Sequence, residues 1–148
     1  MDAFDADVLI YAAAPDHELG RRIRALFPTD PSDGTDVVGI GSVLLLPELL
    51  SKPLRENAKH ELAALGSLLS RLELLPTDVA TADLAIALGA SYKLRAVDAV
   101  HLATAVNAGA DRFLTNNMSD FPKSITEIDI THPIDLPDPA NRVRSSDT

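Results

Sequence analysis

Three acidic residues of this chain lie inside or directly after short apolar segments. They are Asp5, Glu48 and Asp98, and most of their neighbours are Ala, Val, Leu or Ile. A carboxylate among apolar side chains costs free energy unless it is paired, hydrogen-bonded or bound to a metal ion. Because three separate apolar segments each carry one such residue, we expect a fold that brings them together around a shared cation.

Apolar runs alternate with amphipathic stretches along the chain. Strands are predicted at residues 3–11, where the strand leads into a turn or helix, and at 36–40, 72–75, 112–115 and 125–130, the last as an edge strand. Helices are predicted around 19–27, over 56–72, from 77 towards 89, and over 96–107. Residues 28–36 have the composition of a loop. Ser42 is expected to cap one more helix, in which Pro47 causes a kink or marks the first turn.

This alternation predicts an α/β fold with a mostly parallel central sheet and helices on both faces. Active sites of such sheets lie at the carboxyl ends of the strands. Asp5, Glu48, Asp98 and the polar turn 116–120 each follow a predicted strand or lie in the first turns of a predicted helix. We therefore expect all four to meet at one edge of the sheet.

The length of 148 residues fits a single domain. We assign residues 1–132 to this domain and 133–148 to a polar, proline-containing C-terminal tail. The absence of Cys excludes disulfides and thiolate zinc sites and agrees with a cytoplasmic localisation. The first residues lack the basic region of a secretory signal, and Gly, Pro and Glu interrupt the longest apolar stretch, 37–50, so we expect no membrane segment.

The net charge of −9 argues against tight, salt-driven binding to a polyanion. Nucleic acid as a substrate is still compatible with it, because bound divalent cations would offset part of the charge. Basic residues such as Arg24 and Arg95 could also form a local basic rim.

The candidate ligands favour Mg²⁺ or Mn²⁺, which take oxygen ligands and keep several waters. No pair of histidines has the spacing of a zinc site, since the four are scattered as His17, His60, His101 and His132. His101, three residues after Asp98, fits a packed or supporting residue better than a ligand. A carboxylate cluster that holds one or two ions can activate water and neutralise charge on a phosphodiester, so metal-dependent nuclease chemistry is the leading hypothesis.

Four segments resemble, in order, the motifs of PIN-domain ribonucleases, a family that includes the VapC-type toxins of toxin–antitoxin pairs. Residues 4–11, Phe-Asp-Ala-Asp-Val-Leu-Ile-Tyr, are similar to the opening motif. Residues 42–50 resemble the segment that carries the family's Glu. Residues 97–105 and 114–121 resemble the third and fourth motifs. Together the four segments span about residues 3–130, which is far more specific than any one motif.

The resemblance implies a PIN-like three-layer sandwich with Asp5, Glu48 and Asp98 as ligands for Mg²⁺ or Mn²⁺. It also implies water as the nucleophile, RNA as the substrate, a homodimer and a small cognate antitoxin that holds the protein inactive. The fourth acid is Asp120 or is replaced by Asn117, and we favour Asp120. The expected supporting residues are Asp7, which stands where relatives often have Asn, together with Thr115, Asn116 and Asn117.

Two other functions are compatible with the sequence. Asp5-Ala6-Asp7 also resembles the motif of haloacid-dehalogenase-type phosphohydrolases, in which Asp5 would act as a covalent nucleophile. The Gly-Thr continuation of that motif is absent, and the chain is short for that fold. The other alternative is a catalytically silent PIN-like module that only binds a protein partner.

Overall fold

A five-stranded parallel sheet lies at the centre of the computed structural model, which describes residues 1–28 and 36–141. Its strands are β1 (Asp2–Phe4), β2 (Gly39–Ser42), β3 (Leu72–Leu75), β4 (Arg112–Leu114) and β5 (Asp129–Thr131). The order across the sheet is β3-β2-β1-β4-β5, and every neighbouring pair is parallel. The first strand in the sequence is therefore the middle strand of the sheet, with Ala3 opposite Ile40 on one side and Phe113 on the other.

Helices cover both faces of this sheet. In the described residues they are α1 (Ala6–Ala13), α2 (Glu18–Arg24), α3 (Leu45–Arg55), α4 (Lys59–Leu69), α5 (Val79–Tyr92), α6 (Ala96–Asn107) and a 3₁₀ helix (Pro133–Asp135). Successive residues of a strand point to opposite faces. Phe4 and Leu114 accordingly pack against α1 to α4, whereas Ala3 and Phe113 pack against α5 and α6. The predicted three-layer α/β fold is confirmed.

The strand predicted over 3–11 is only partly correct. β1 ends at Phe4, and α1 begins at Ala6 because Asp5 takes the N-cap position, where its Oδ1 accepts a hydrogen bond from the Ala6 amide. A run of apolar residues without alternation does not distinguish a buried strand from a buried helix, so the sequence pattern missed this boundary.

Other boundaries also differ from the predictions. β2 begins three residues later than residue 36, and β5 contains only Asp129–Thr131, although Ile125 and Ile128 are buried in the core. α5 passes Gly89 and ends at Tyr92, followed by Lys93 in the left-handed conformation with φ 56°. Pro47 lies in the first turn of α3, where its missing N–H has no helical acceptor to lose.

Residues 133–141 pack against the domain. Leu136 is 3% exposed, and Arg22 donates hydrogen bonds to the carbonyls of Ile134 and Leu136. Most of the predicted loop at 28–36 and the end of the predicted tail, 142–148, lie outside the described residues. Among the described helices, none is both long and apolar enough to cross a membrane.

Candidate metal centre

The acidic residues lie on one side of the molecule, at the carboxyl ends of β1, β2 and β4 and at the N-terminus of α6. Asp5 directly follows β1, and Glu48 lies in the first turn of α3, which follows β2. Asp98 lies in the first turn of α6, and Asp120 lies in the turn after β4. The arrangement follows the general rule that parallel sheets build their sites at the carboxyl edge.

Asp5 is held on both of its carboxylate oxygens. Oδ1 accepts a hydrogen bond of 2.8 Å from the Ala6 amide, and Oδ2 accepts one of 2.8 Å from the Thr115 hydroxyl. The residue is 5% exposed, and burial raises its pKa even though the Thr115 bond and the charge of His101 act in the opposite direction. The ionised form therefore lacks full charge compensation from the protein.

Glu48 is in contact with a buried histidine on α6. Oε2 of Glu48 lies 2.8 Å from Nε2 of His101, whose side chain is fully buried, while that of Glu48 is 35% exposed. Burial by itself lowers the pKa of His101. The hydrogen bond with Glu48 and the charges of Asp5, Glu48 and Asp98 outweigh burial, and the net shift is upward.

The ligand atoms of Asp5, Glu48 and His101 all lie within 4.8 Å of one another. Asp98 is outside this group but interacts with it electrostatically. Burial has the largest effect on the pKa of Asp98, and the charges of Glu48 and Asp120 raise it further. The four predicted acids thus share one electrostatic environment. A divalent cation would relieve the repulsion among these carboxylates. Their oxygen atoms are donors that fit Mg²⁺ or Mn²⁺.

The turn after β4 is organised by Thr115 and Asn117. The Thr115 hydroxyl accepts a hydrogen bond of 3.1 Å from the Asn117 amide. Nδ2 of Asn117 donates to Oδ2 of Asp120 at 2.9 Å, and Oδ1 of Asn117 accepts from the Asp120 amide at 3.2 Å. Asn117 therefore orients Asp120 and uses its own polar atoms within the turn.

Asp7 and Asn116 join α1 to the same turn. Oδ2 of Asp7 accepts a 3.0 Å hydrogen bond from the Asn116 amide, whereas Oδ1 is buried without a partner in the part of the chain that the structure describes. Burial, followed by the charge of Asp5, raises the pKa of Asp7 to about 7. The Asn116 side chain donates to the hydroxyl of Tyr11, which was not among the predicted site residues and carries no sequence signal beyond its place in the first motif.

An open cleft leads to this centre. It is lined by Leu44, Pro47, Glu48, Arg95, Ala96, Val97 and Asp98. Arg95 supplies one positive charge beside Asp98, whose pKa it lowers against the larger upward effects. The wider basic rim is not formed at Arg24, because its guanidinium donates to the carbonyls of Ala12, Ala14 and Pro15.

Comparisons with known proteins agree with this architecture. The family model of the PIN domain matches residues 3–123. A chain of a toxin–antitoxin complex from Klebsiella pneumoniae superposes with a TM-score of 0.67 at 21% identity, covering 90% of this chain and 98% of that one. A chain of DNA-bound VapBC from Salmonella typhimurium gives 0.67 at 23% identity, covering 89% and 97%.

A third structure, VapBC2 from Rickettsia felis bound to a DNA fragment from its promoter, gives a TM-score of 0.65 at 18% identity, covering 88% of this chain and 97% of that one. At these identities the superpositions show a shared fold. Among curated proteins, no sequence matches this chain significantly.

Proposed function

Since this chain belongs to the PIN-domain family, whose members are nucleases, we propose that it is a divalent-metal-dependent endoribonuclease and the toxin of a toxin–antitoxin pair. The observation that carries the proposal is the meeting of Asp5 and Glu48 within 4.8 Å at the carboxyl edge of the sheet, beside Asp98 and Asp120. These four acids are far apart in the sequence, and they share no structural role that would explain why they lie together.

We assign Asp5, Glu48, Asp98 and Asp120 as the residues that hold Mg²⁺ or Mn²⁺. Such an ion lowers the pKa of a bound water and offsets charge on a phosphodiester, which is the chemistry that RNA hydrolysis requires. Asp120 is preferred to Asn117 because Asp120 raises the pKa of Asp98, whereas the polar atoms of Asn117 bond within the turn.

The other residues hold these acids in place. Thr115 fixes the orientation of Asp5, and Asn117 fixes that of Asp120. The Asp7–Asn116 hydrogen bond ties the start of α1 to the same turn. Arg95, at the mouth of the cleft, is placed to attract an anionic backbone despite the acidic net charge of the chain.

The proposed partners follow from the similar structures, which are a toxin–antitoxin complex and two VapBC complexes. We propose that a small antitoxin binds this chain and holds it inactive, that the chain forms a homodimer, and that the free chain acts in the cytoplasm on cellular RNA. We propose that residues 1–132 form the catalytic unit, with 133–141 packed against it.

The two alternative functions have less support. The Gly-Thr continuation of the haloacid-dehalogenase-type motif is absent after Asp7. The PIN match over 3–123 also favours water-mediated over covalent hydrolysis. A silent binding module would have no need of four convergent acids, and the experiment below distinguishes it from an enzyme.

The test is Mn²⁺-dependent cleavage of total cellular RNA by the purified protein, with the new ends mapped by sequencing. The same reaction is run with Asp98→Asn, with EDTA, and on single-stranded DNA of matching sequence. Discrete cuts in RNA made only by the wild type and stopped by EDTA are expected. Cleavage of DNA alone would overturn the substrate assignment, and no cleavage of either polymer by folded, partner-free protein would support the silent module.

A further inference from the structure

The side chains of Glu48 and Asp5 are held to different degrees. Both oxygens of the buried Asp5 accept hydrogen bonds, from Ala6 and Thr115. Glu48 has a longer side chain, is 35% exposed, and has one hydrogen-bond partner in the described residues, His101. A side chain with this freedom loses rotamer entropy when it is fixed for binding. A group that fixes the orientation of Glu48 before binding should therefore raise the affinity of the site for a cation.

His101 has the properties of a rigid anchor for Glu48. Its side chain lies on α6 and is fully buried. Its Nε2 lies 2.8 Å from Oε2 of Glu48, although Glu48 and His101 are 53 positions apart in the sequence. An ionised carboxylate only accepts hydrogen bonds, so Nε2 must carry the hydrogen in this contact. A nitrogen that carries a hydrogen has no lone pair to offer a metal ion.

The second ring nitrogen of His101, Nδ1, also argues against metal coordination by this residue. A histidine that binds a metal through one nitrogen normally donates its other N–H to a carboxylate, a carbonyl or water. Nδ1 of His101 is buried and has no hydrogen-bond partner among the described residues. Coordination through Nε2 would break its contact with Glu48, and Nδ1 would lack the supporting acceptor that metal-binding histidines normally have.

We propose that His101 is a positioning residue that holds Glu48 in its metal-binding orientation and is not itself a metal ligand. This inference rests on the proposed metal-dependent function. The bond to His101 fixes the orientation of the Glu48 carboxylate, whose oxygens keep lone pairs for the cation. His101 thereby does for Glu48 what Thr115 does for Asp5.

The first test is the affinity for Mn²⁺, measured by electron paramagnetic resonance of the free ion. His101→Leu removes the donor and is expected to weaken binding about 10- to 100-fold. His101→Gln, which retains an N–H donor, is expected to restore binding to within about 10-fold of the wild type. Thr104→Val serves as the matched control, because Thr104 is buried on the same helix and its hydroxyl donates only to Val100, so it should bind Mn²⁺ like the wild type.

A double substitution separates positioning from a general structural effect. In a Glu48→Ala background, His101→Leu should cause no further loss of Mn²⁺ affinity, because the residue it positions is absent. A further loss of 10-fold or more would overturn the proposal. Equal Mn²⁺ affinity of His101→Leu and wild type would overturn it too, while leaving the proposed function intact. A wild type that binds no Mn²⁺ would overturn both.

The second test uses the wild type and does not depend on any variant folding. Long-range ¹H–¹⁵N correlation spectra report the protonation of each ring nitrogen, and histidine labelling with sequential assignment identifies the signals of His101. With saturating Mg²⁺, Nε2 of His101 is expected to retain its hydrogen. Loss of that hydrogen on addition of Mg²⁺ would make His101 a ligand and would overturn the proposal.

Discussion

The hydroxyl of Thr115 donates a 2.8 Å hydrogen bond to Oδ2 of Asp5 and thereby joins the end of β4 to the end of β1. The same hydroxyl accepts a hydrogen bond from the Asn117 amide. One fully buried oxygen atom thus sets the orientation of a candidate metal ligand and the path of the turn that carries Asp120. The candidate ligands are thus held in place by groups that we do not assign as ligands.

Thr115→Val should lower the free energy of unfolding by about 2–3 kcal/mol, because it leaves a buried carboxylate oxygen and a backbone N–H without partners. Thr115→Ser keeps the hydroxyl and should cost about 1 kcal/mol, the value of one buried methyl group. Urea unfolding in EDTA measures both. Equal stability of the Val variant and the wild type would show that this bond contributes nothing to the fold.

Asp98→Asn should reduce metal-dependent RNA cleavage by at least about 100-fold, because it removes a charge from the proposed ion site. The metal-free variant should be at least as stable as the wild type near pH 8. The pKa of Asp98 is raised by burial and by Glu48 and Asp120, so its ionised form is disfavoured in the folded state. Single-turnover cleavage measures the loss of activity, and thermal melting in EDTA measures the stability. Near-normal turnover would refute the assignment of Asp98 as a metal-holding residue.

Asp7→Asn should change the pH dependence of stability. The pKa of Asp7 is about 7 in the folded protein against 3.8 in the unfolded chain, so the folded state binds more protons between these values. Its contribution to stability is therefore lost as pH rises from about 4 to 7. The Asn variant should gain on the order of 1–3 kcal/mol relative to wild type at pH 8 and nothing at pH 3.5. Denaturant midpoints of both proteins, measured in EDTA across this pH range, check the prediction. A stability difference between variant and wild type that does not change with pH would contradict the raised pKa of Asp7.

Gly20→Ala should destabilise the protein by about 1–3 kcal/mol through overpacking. A Cβ at Gly20 would lie 2.0 Å from the carbonyl oxygen of Tyr11, so α1 and α2 would have to separate. Gly66→Ala is the matched control, because a Cβ there meets nothing within 4 Å and should stabilise α4 by about 0.5–1 kcal/mol. Thermal melting of the two variants should shift the transition in opposite directions.

The sequence predicted some elements closely and others only in part. The predicted bounds of α6, 96–107, agree with the structure, since a run of helix-forming residues there ends before Gly109 with φ 70°. β3 was also predicted correctly at 72–75. The strand at 3–11 was overextended because the side chain of Asp5, through its cap on Ala6, decides where β1 gives way to α1. Periodicity does not reveal a cap of this kind in a uniformly apolar run.

The candidate site shows a similar division. The alternation of strands and helices is enough to predict that Asp5, Glu48, Asp98 and Asp120 approach the same edge of the sheet. The contact between Glu48 and His101, which are 53 positions apart in the sequence, depends on how α3 and α6 pack. Sequence patterns constrain the faces of single helices, whereas the distance between two side chains on different helices depends on the whole core.

The central position of β1 has a consequence for the time at which activity can arise during protein synthesis. β1 leaves the ribosome before the other four strands of this sheet, yet its neighbour β4, and the Thr115 hydroxyl that fixes Asp5, follow only about 110 residues later. Asp120 follows after that. A nascent chain that still lacks β4 also lacks Thr115 and Asp120, so we expect the proposed cleavage of RNA only after most of the domain has been translated.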